Sequence, residues 1–223
     1  VHRFPWEGEN EPMALLLGFN AVQLGPGLAA AACGRMLADA GASVTRIGAD
    51  HTTTLAKHLN RDPDAVASIA DAHLIVTEGS PSLLRRAGHD PETLRRLNPA
   101  ATLVTIAPFG QTGPRAETPA TDLTLFFSSG IARMLTGQVD DLSEPPMRPT
   151  GTQSAFIGGL AAACAGMHAV LSGQPALVDV SIQEALATLA MTELTRAGLS
   201  GKSWSRKRVA DGNGATVCIL PAS

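Results

Sequence analysis

The chain has 223 residues, 44% of them hydrophobic, and a formal charge of −3. A chain of that length buries about 70% of its unfolded surface, so it supports a substantial core, as one large domain or two small ones. Near-neutral charge without a long Lys/Arg run argues against nucleic acid or an anionic membrane as the main partner. Along the chain, "VHRFPWEGENEP" is acidic and Pro-containing, with none of the apolar run of a signal peptide, and residues 1–13 read as an N-terminal extension. "ALLLGFNAVQL" reads as a buried strand. Leu28 to Ala40 reads as an Ala-rich helix ended by Gly41. "SVTRI" is a second strand. "DPDAVASIADA" is a short helix capped by Asp62 with Pro63 in its first turn, and "HLIVTE" a third strand. "SPSLLRRAG" starts a helix, and "DPETLRRLNP" another, with Asp90 as cap and Glu92 in the first turn. "ATLVTIAPFG" is a fourth strand.

From Gly110 to Pro119 the chain is turn-rich, and "DLTLFFSSGIARMLTG" then reads as a helix interrupted near Gly130. "QVDDLSEPPMRPTG" is an exposed, Pro-rich loop. Ala155 to Leu171 is an apolar run short of the ~20 residues a bilayer requires, and it contains His168, which favours a buried core helix over a membrane span. Gly158, Ala162 and Gly166 recur at i, i+4 and i+8, so one face lets a neighbouring backbone approach closely. The strand "ALVDVSI" and the helix "QEALATLAMTELTRAG" follow, then the basic stretch "KSWSRKR" and an apolar strand in "VADGNGATVCILPAS". Alternating strands and helices predict an α/β fold with an open, mostly parallel, Rossmann-like sheet flanked by helices. An apolar run at the terminus calls for something beyond it to pack against, so the chain is expected to be the front portion of a longer polypeptide. Cys33, Cys164 and Cys218 are odd in number, far apart and among apolar residues, which points to a reducing, cytoplasmic setting with the thiols as small core residues.

The turn "VQLGPGLAAAA" raises the question of a ligand. Gly25, Gly27 and Ala30 stand at G-x-G-x-x-A spacing, the pattern of a dinucleotide loop. Two features count against nicotinamide. The acidic residue for the ribose belongs at the end of the second strand, where Gly48 stands, with Asp50 displaced into the next loop. Gln23, a polar side chain, ends the first strand facing the ligand crevice. The histidines show no H-x-x-x-H spacing, so no metal site is expected, and Ser80, Ser128 and Ser129 lack a G-x-S-x-G elbow.

Later segments carry a resemblance. "LADAGASVTRI", Asn60–Arg61, "RAGHDPETLRRLNPAATLVTIAPFGQTGP", "TDLTLFFSSGIARMLTG" and "ALVDVSIQEA" occur in the order seen in the class III CoA-transferases. That family includes formyl-CoA transferases, carnitine CoA-transferases and α-methylacyl-CoA racemases. The run from Ala87 to Gly137 is the specific part. "VQLGPG" resembles the first turn of formyl-CoA transferases, where the glutamine faces the acyl-CoA thioester. The resemblance covers roughly residues 14 to 221 and implies a large domain over 14–223, with the family's small domain and returning terminal segment absent. It further implies coenzyme A or an acyl-CoA as substrate, with no covalently bound cofactor, and a homodimer of interlocked subunits or a partner CoA-transferase domain. Gln23, Gly25, Pro26, Arg61, Gly110, Gln111 and Gly113 become candidates for acyl-CoA contact, and Arg115, like Arg61, a candidate for CoA phosphates. Relatives show Glu-Asn-Phe near Thr77–Glu78–Gly79 and a longer loop after the second strand, so the adenine contacts stay open.

The transferases of this family use an aspartate as nucleophile, just before the small-residue helix and four residues ahead of a glycine; it forms a mixed anhydride and then an aspartyl-CoA thioester. Counting back from Gly159 reaches Ala155, and no acidic residue lies between Glu144 and Asp179. Shifting the count reaches Gln153 and Ser154. The racemases need a carboxylate at that same place and a histidine before the upstream aspartate, where Thr121 precedes Asp122. Asp122 is left as the catalytic candidate, with bonding of first-turn N–H groups as its competing role. The expectation is an acyl-CoA-handling domain that is catalytically degenerate on its own. The alternatives are a structural or regulatory partner of an active homologue and an NAD(P)-binding oxidoreductase domain.

Overall fold

The computed structural model describes residues 14–48, 63–132 and 149–191, with isolated positions at Asp141, Ser143, Thr195, Gly198 and Leu199. The expected N-terminal extension, Arg61, most of the Pro-rich loop and the terminal basic stretch and strand lie outside the described residues. Twelve elements are described: β1 (Asn20–Leu24), α1 (Leu28–Asp39), β2 (Ser43–Ile47), α2 (Pro63–Ala70), β3 (Leu74–Glu78), α3 (Pro81–Ala87), α4 (Pro91–Leu97), β4 (Thr102–Ala107), α5 (Asp122–Ser128), α6 (Gln153–Leu171), β5 (Leu177–Ser181) and α7 (Ile182–Leu189).

The five strands form one parallel sheet in the order β2-β1-β3-β4-β5. This is the predicted α/β architecture, and its strand order reverses between β1 and β3. In open sheets of this kind the crevice outside the carboxyl ends of the strands, at that reversal, is the place that receives ligands. β3 and β4 are central and read as near-continuous apolar runs because both their faces are covered; β4 is buried along its whole length. Alternate residues serve two cores. Ala21, Leu74, Val76, Val104 and Val180 pack under α1, α5, α6 and α7. Val22, Leu24, Ile75 and Leu103 pack with Ile69 of α2 and Leu94 of α4.

The first strand is shorter than its apolar run. Leu17 N–H donates to Ala14 O and Phe19 N–H to Leu16 O, Gly18 takes φ 79°, and the chain turns before Asn20, leaving Leu15 and Leu17 exposed. Asn98, in the Leu-Asn-Pro turn, is 5% exposed and ties the second core together. Its Nδ2 donates to the carbonyls of Ile69, Ala70 and Ala72 at 2.9–3.1 Å, meeting the unpaired end of α2, and its Oδ1 accepts from Ala100 and Ala101 N–H.

α6 begins two residues ahead of the expected Ala155 and is the helix long and apolar enough to cross a membrane among the described residues. It is instead laid on the sheet and on α1 through its glycines, as the core-helix reading expects. A Cβ on Gly159 would lie 2.5 Å from Ala29 O and 2.6 Å from Ala32 Cβ; one on Gly166 would lie 2.8 Å from Leu74 Cδ1; one on Gly158, 2.8 Å from Ile182 Cγ1. The i, i+4, i+8 stripe therefore meets the sheet and α7, while the close approach to a neighbouring helix backbone is made one residue over, at Gly159. Its outer face keeps Phe156 and Leu160 exposed. The cysteines divide likewise. Cys33 is buried against α6 and its thiol is pushed up to about 12 by burial, then by Cys164. Cys164 is exposed, so it is not the core thiol its apolar neighbours predicted, because it falls on the outer side of α6.

Candidate functional site

β1 ends at Leu24 and the chain turns sharply into α1. Gly25 takes φ 81°, a left-handed conformation that favours glycine, and donates its N–H to Ile47 O at 2.9 Å. α1 then opens with no capping side chain at Gly27 and no acidic residue in its first turn. The orphan N–H groups of a helix start, with the positive end of its dipole, demand an acceptor. β3 supplies one. Glu78, its last residue, places Oε2 2.9 Å from Ala30 N, which donates to it, and the Ala29 N–H lies near enough to favour the same carboxylate. Burial raises the Glu78 carboxyl above its ordinary value, and the two N–H groups pull the other way.

Gln23 is 3% exposed. It shares the face of Ala21, which is the α1 side of the sheet, so its amide is folded under the helix. Nε2 lies 3.4 Å from Gly25 O, and Oε1 lies 3.1 Å from where a Cβ on Gly34 would stand. Oε1 is buried and accepts no hydrogen bond from any described residue. Thr77 Oγ1, the neighbour of Glu78 in β3, is in the same position.

After β4, Gly110 takes φ 81°, and Gln111 N–H donates to both oxygens of Asp179 at 2.9 and 3.0 Å. Gln111 Nε2 donates to Gly79 O at 2.8 Å. One glutamine thus links the ends of β3 and β4 to Asp179 in the middle of β5, beside the Gly25–Pro26–Gly27 turn. Gly113 has φ 89° and open space around it. Arg115, a candidate for CoA phosphates, stacks its guanidinium 3.7 Å above the Phe109 ring centroid.

Asp122 opens α5, but it does not bond that helix's own first turn. Thr121 does so, with its Oγ1 accepting from Thr124 N. Asp122 Oδ1 reaches the start of α6, accepting from Ser154 N at 2.8 Å and from Ser154 Oγ at 2.6 Å. Ser154 is 2% exposed, and Asp122 Oδ2 is buried without a hydrogen bond from any described residue. Ala155 follows in the first turn of α6, half-buried against the main core. Between the outer sides of α1 and this end of α6 lies a groove of about 360 Å³, lined by Leu28, Ala31, Met36, Thr152 and Phe156 with Arg35 at its edge.

The structure sets Gly25, Pro26, Gly110 and Gln111 along the carboxyl ends of the strands and leaves Gly113 farther along the loop. Gln23, expected to face the crevice, is instead buried under α1 because it lies on the helix-covered face of β1. Among the described residues no group of three or more His, Cys, Asp or Glu stands ready to hold a metal ion. Three participants were not singled out by sequence: Glu78, Asp179 and, as the partner of Asp122, Ser154. A signal existed for Glu78, since a helix that starts Gly-Pro-Gly with no acidic first turn needs an acceptor from elsewhere.

The model of CoA-transferase family III matches residues 66–219. A CaiB/BaiF CoA-transferase family protein of Caenorhabditis elegans is 27% identical over 177 residues, covering 70% of this chain and 51% of that protein. The acetyl-CoA:oxalate CoA-transferase of Acetobacter aceti is 34% identical over 119 residues, covering 51% of this chain and 30% of the enzyme. This chain therefore spans about half or less of these relatives. Among solved structures, a CaiB/BaiF family protein from Brucella suis superposes with a TM-score of 0.72 at 20% identity, over 88% of this chain and 64% of that one. A Mycobacterium tuberculosis protein does so with a TM-score of 0.68 at 19% identity, over 85% of this chain and 60% of that one. These two likenesses bear on the fold.

Proposed function

The chain belongs to CoA-transferase family III, and from that premise we propose that it is the acyl-CoA-handling part of a large domain whose own nucleophile is missing. The family reaction moves CoA between an acyl-CoA and a carboxylic acid. The rim built from Gly25, Pro26, Gly110 and Gln111 receives the thioester end of the substrate, with the buried Gln23 amide behind the turn and Gly113 and Arg61 assigned to the same ligand. Support for this comes from Gly25 and Pro26 at the β1/β3 reversal, where sheets of this order take ligands, and from Gln111, which reaches from the end of β4 to Gly79 after β3.

The observation that carries the degenerate reading is the start of α6. The attacking carboxylate of the family belongs there, and here the first turn offers Gln153, Ser154 and Ala155. A hydroxyl is a far weaker nucleophile than a carboxylate at neutral pH unless a base activates it. Asp122 stands beside Ser154, but its Oδ1 also holds the helix amide, and moving to act as a base costs α6 that cap. Glu78, the carboxylate nearest the glycine turn, is engaged by N–H groups of α1. Loss of an essential nucleophile lowers rate by roughly 10⁴- to 10⁶-fold. Binding therefore outlives turnover in this chain. The protein acts in the cytoplasm, as a homodimer or beside a CoA-transferase domain that supplies the carboxylate.

Isothermal calorimetry of the full-length protein against CoA and a panel of acyl-CoA thioesters is expected to show saturable heat, with no CoA transfer to carboxylic acids. Absence of any saturable heat removes the ligand. Transfer by the full-length protein that survives Asp122→Asn places a nucleophile elsewhere and removes the degeneracy. The second reading, a structural partner of an active homologue, is favoured by the exposed apolar side chains Phe156 and Leu160 on α6. It predicts co-purification with a carboxylate-bearing paralogue and no heat with acyl-CoA.

A further inference from the structure

We infer that Glu78 is a built-in anion that closes the phosphate position of the turn at the strand-order reversal, so that this turn receives an uncharged part of a ligand. In sheets of this order a nucleotide phosphate takes the start of the helix after β1, because free N–H groups and the positive helix end converge there. Here that place is filled from within. Glu78 arrives from the end of β3, one strand over, and Oε2 sits 2.9 Å from Ala30 N.

The turn is shaped for this side chain. A Cβ on Gly27 would fall 2.5 Å from Glu78 Cβ and 2.6 Å from its Cδ. The glycine that in a dinucleotide loop admits pyrophosphate admits a glutamate here. Gly27 and Glu78 are therefore a matched pair, and the G-x-G-x-x-A spacing has a cause other than a nucleotide. A phosphate brought to Ala29 and Ala30 would have to displace a carboxylate already in contact, or share N–H groups with a second negative charge. Both count against the nicotinamide alternative. The same contact bears on an acyl-CoA: the diphosphate must lie away from α1, while a neutral pantetheine arm remains compatible with the turn.

The inference concerns α1 and Glu78 alone and stands whether or not the chain binds CoA. Its test uses inorganic pyrophosphate and the full chain, read by ¹⁵N amide shifts of Ala29 and Ala30 and by calorimetry. The wild-type amides are expected to stay in place through the titration. In Glu78→Ala they shift saturably, and pyrophosphate affinity rises roughly tenfold, the scale of a freed helix start. Where Glu78→Ala does not fold, Glu78→Asp, one methylene shorter, retracts the carboxylate from Ala30 and gives the same direction of change. Saturable movement of Ala29 and Ala30 in the wild type, or a folded variant that binds pyrophosphate no tighter than wild type, overturns the inference.

Discussion

α1 and α6 both begin without a hydrogen bond from a capping side chain of their own, and both take a carboxylate from a distant part of the chain instead. At α1 the carboxylate is Glu78, 48 residues on, and its Oε2 is engaged by the Ala30 amide in a setting dry enough to raise its pKa. At α6 it is Asp122, 32 residues back, and a single oxygen takes both the amide and the hydroxyl of Ser154. The other oxygen of Asp122 is buried and accepts from no described residue. One helix start is closed on itself; the other retains a spare acceptor. The same device therefore makes one end of this rim unreceptive to anions and leaves the other able to accept a donor.

The two starts are joined where Gly159 lets α6 meet the backbone of α1, and breaking that seam gives the largest expected effect. Gly159→Val drives branched atoms into Ala29 O and Ala32 Cβ and is expected to destabilise the fold by about 3 kcal/mol, the upper range for overpacking. Urea unfolding reads this directly. A loss below about 1 kcal/mol would show that the helices separate freely and that the two starts are independent. Next comes Asp122→Ala, which strands Ser154 N–H and Oγ and is expected to cost about 2 kcal/mol. Ser154→Ala removes the hydroxyl alone and is expected to cost about half as much, and the double mutant separates the amide's share. Equal costs for the two single variants would mean that the amide bond contributes nothing.

The smallest effect is a difference in sign with pH. Because burial raises the Glu78 carboxyl, the folded chain holds that proton more tightly than the unfolded one. Its contribution is greatest below the ordinary carboxylate range and falls as pH rises through the raised value. Glu78→Gln lacks this dependence, so its stability relative to wild type should improve as pH rises from the ordinary carboxylate range through the raised value. Asp90, the cap of α4, gives the opposite case. Burial raises its carboxyl, but the Thr93 amide and hydroxyl, its own N–H and Arg96 outweigh burial and hold it below the ordinary value. Asp90→Asn should therefore lose ground to wild type at neutral pH and recover it as pH falls through the Asp90 value. Parallel pH profiles for the two substitutions would end the distinction between a cap in which burial prevails and one in which hydrogen bonds prevail.

Much of the architecture was legible in the residues. The helices headed by Asp90-Pro91 and Ser80-Pro81 start where their cap and proline place them, and Gly88, at φ 74°, ends one of them as its position implies. Gly130 interrupts the helix that Asp122 opens. Period and punctuation are local, so such features are readable in order along the chain. The first strand is shorter than its pattern predicts: "ALLLG" is apolar enough for a buried strand, yet it bends back at Gly18 with two leucines exposed. Gln23 shows the same limit at a candidate site. Its place at a strand end was readable, but the direction of its amide depends on which face α1 covers.

Sequence by itself determined a parallel α/β sheet, its family, the glycine turn after β1 and the lack of any acidic residue at the start of α6. Tertiary structure alone decided that Glu78 closes α1, that Asp122 caps α6 rather than α5, and that Gln111 links β3, β4 and β5. The physical reason is range. Helix and strand patterns repeat within a few residues, whereas these contacts join a side chain to backbone 32 to 68 positions away, and the packing of the helices and strands is what brings them within hydrogen-bond distance.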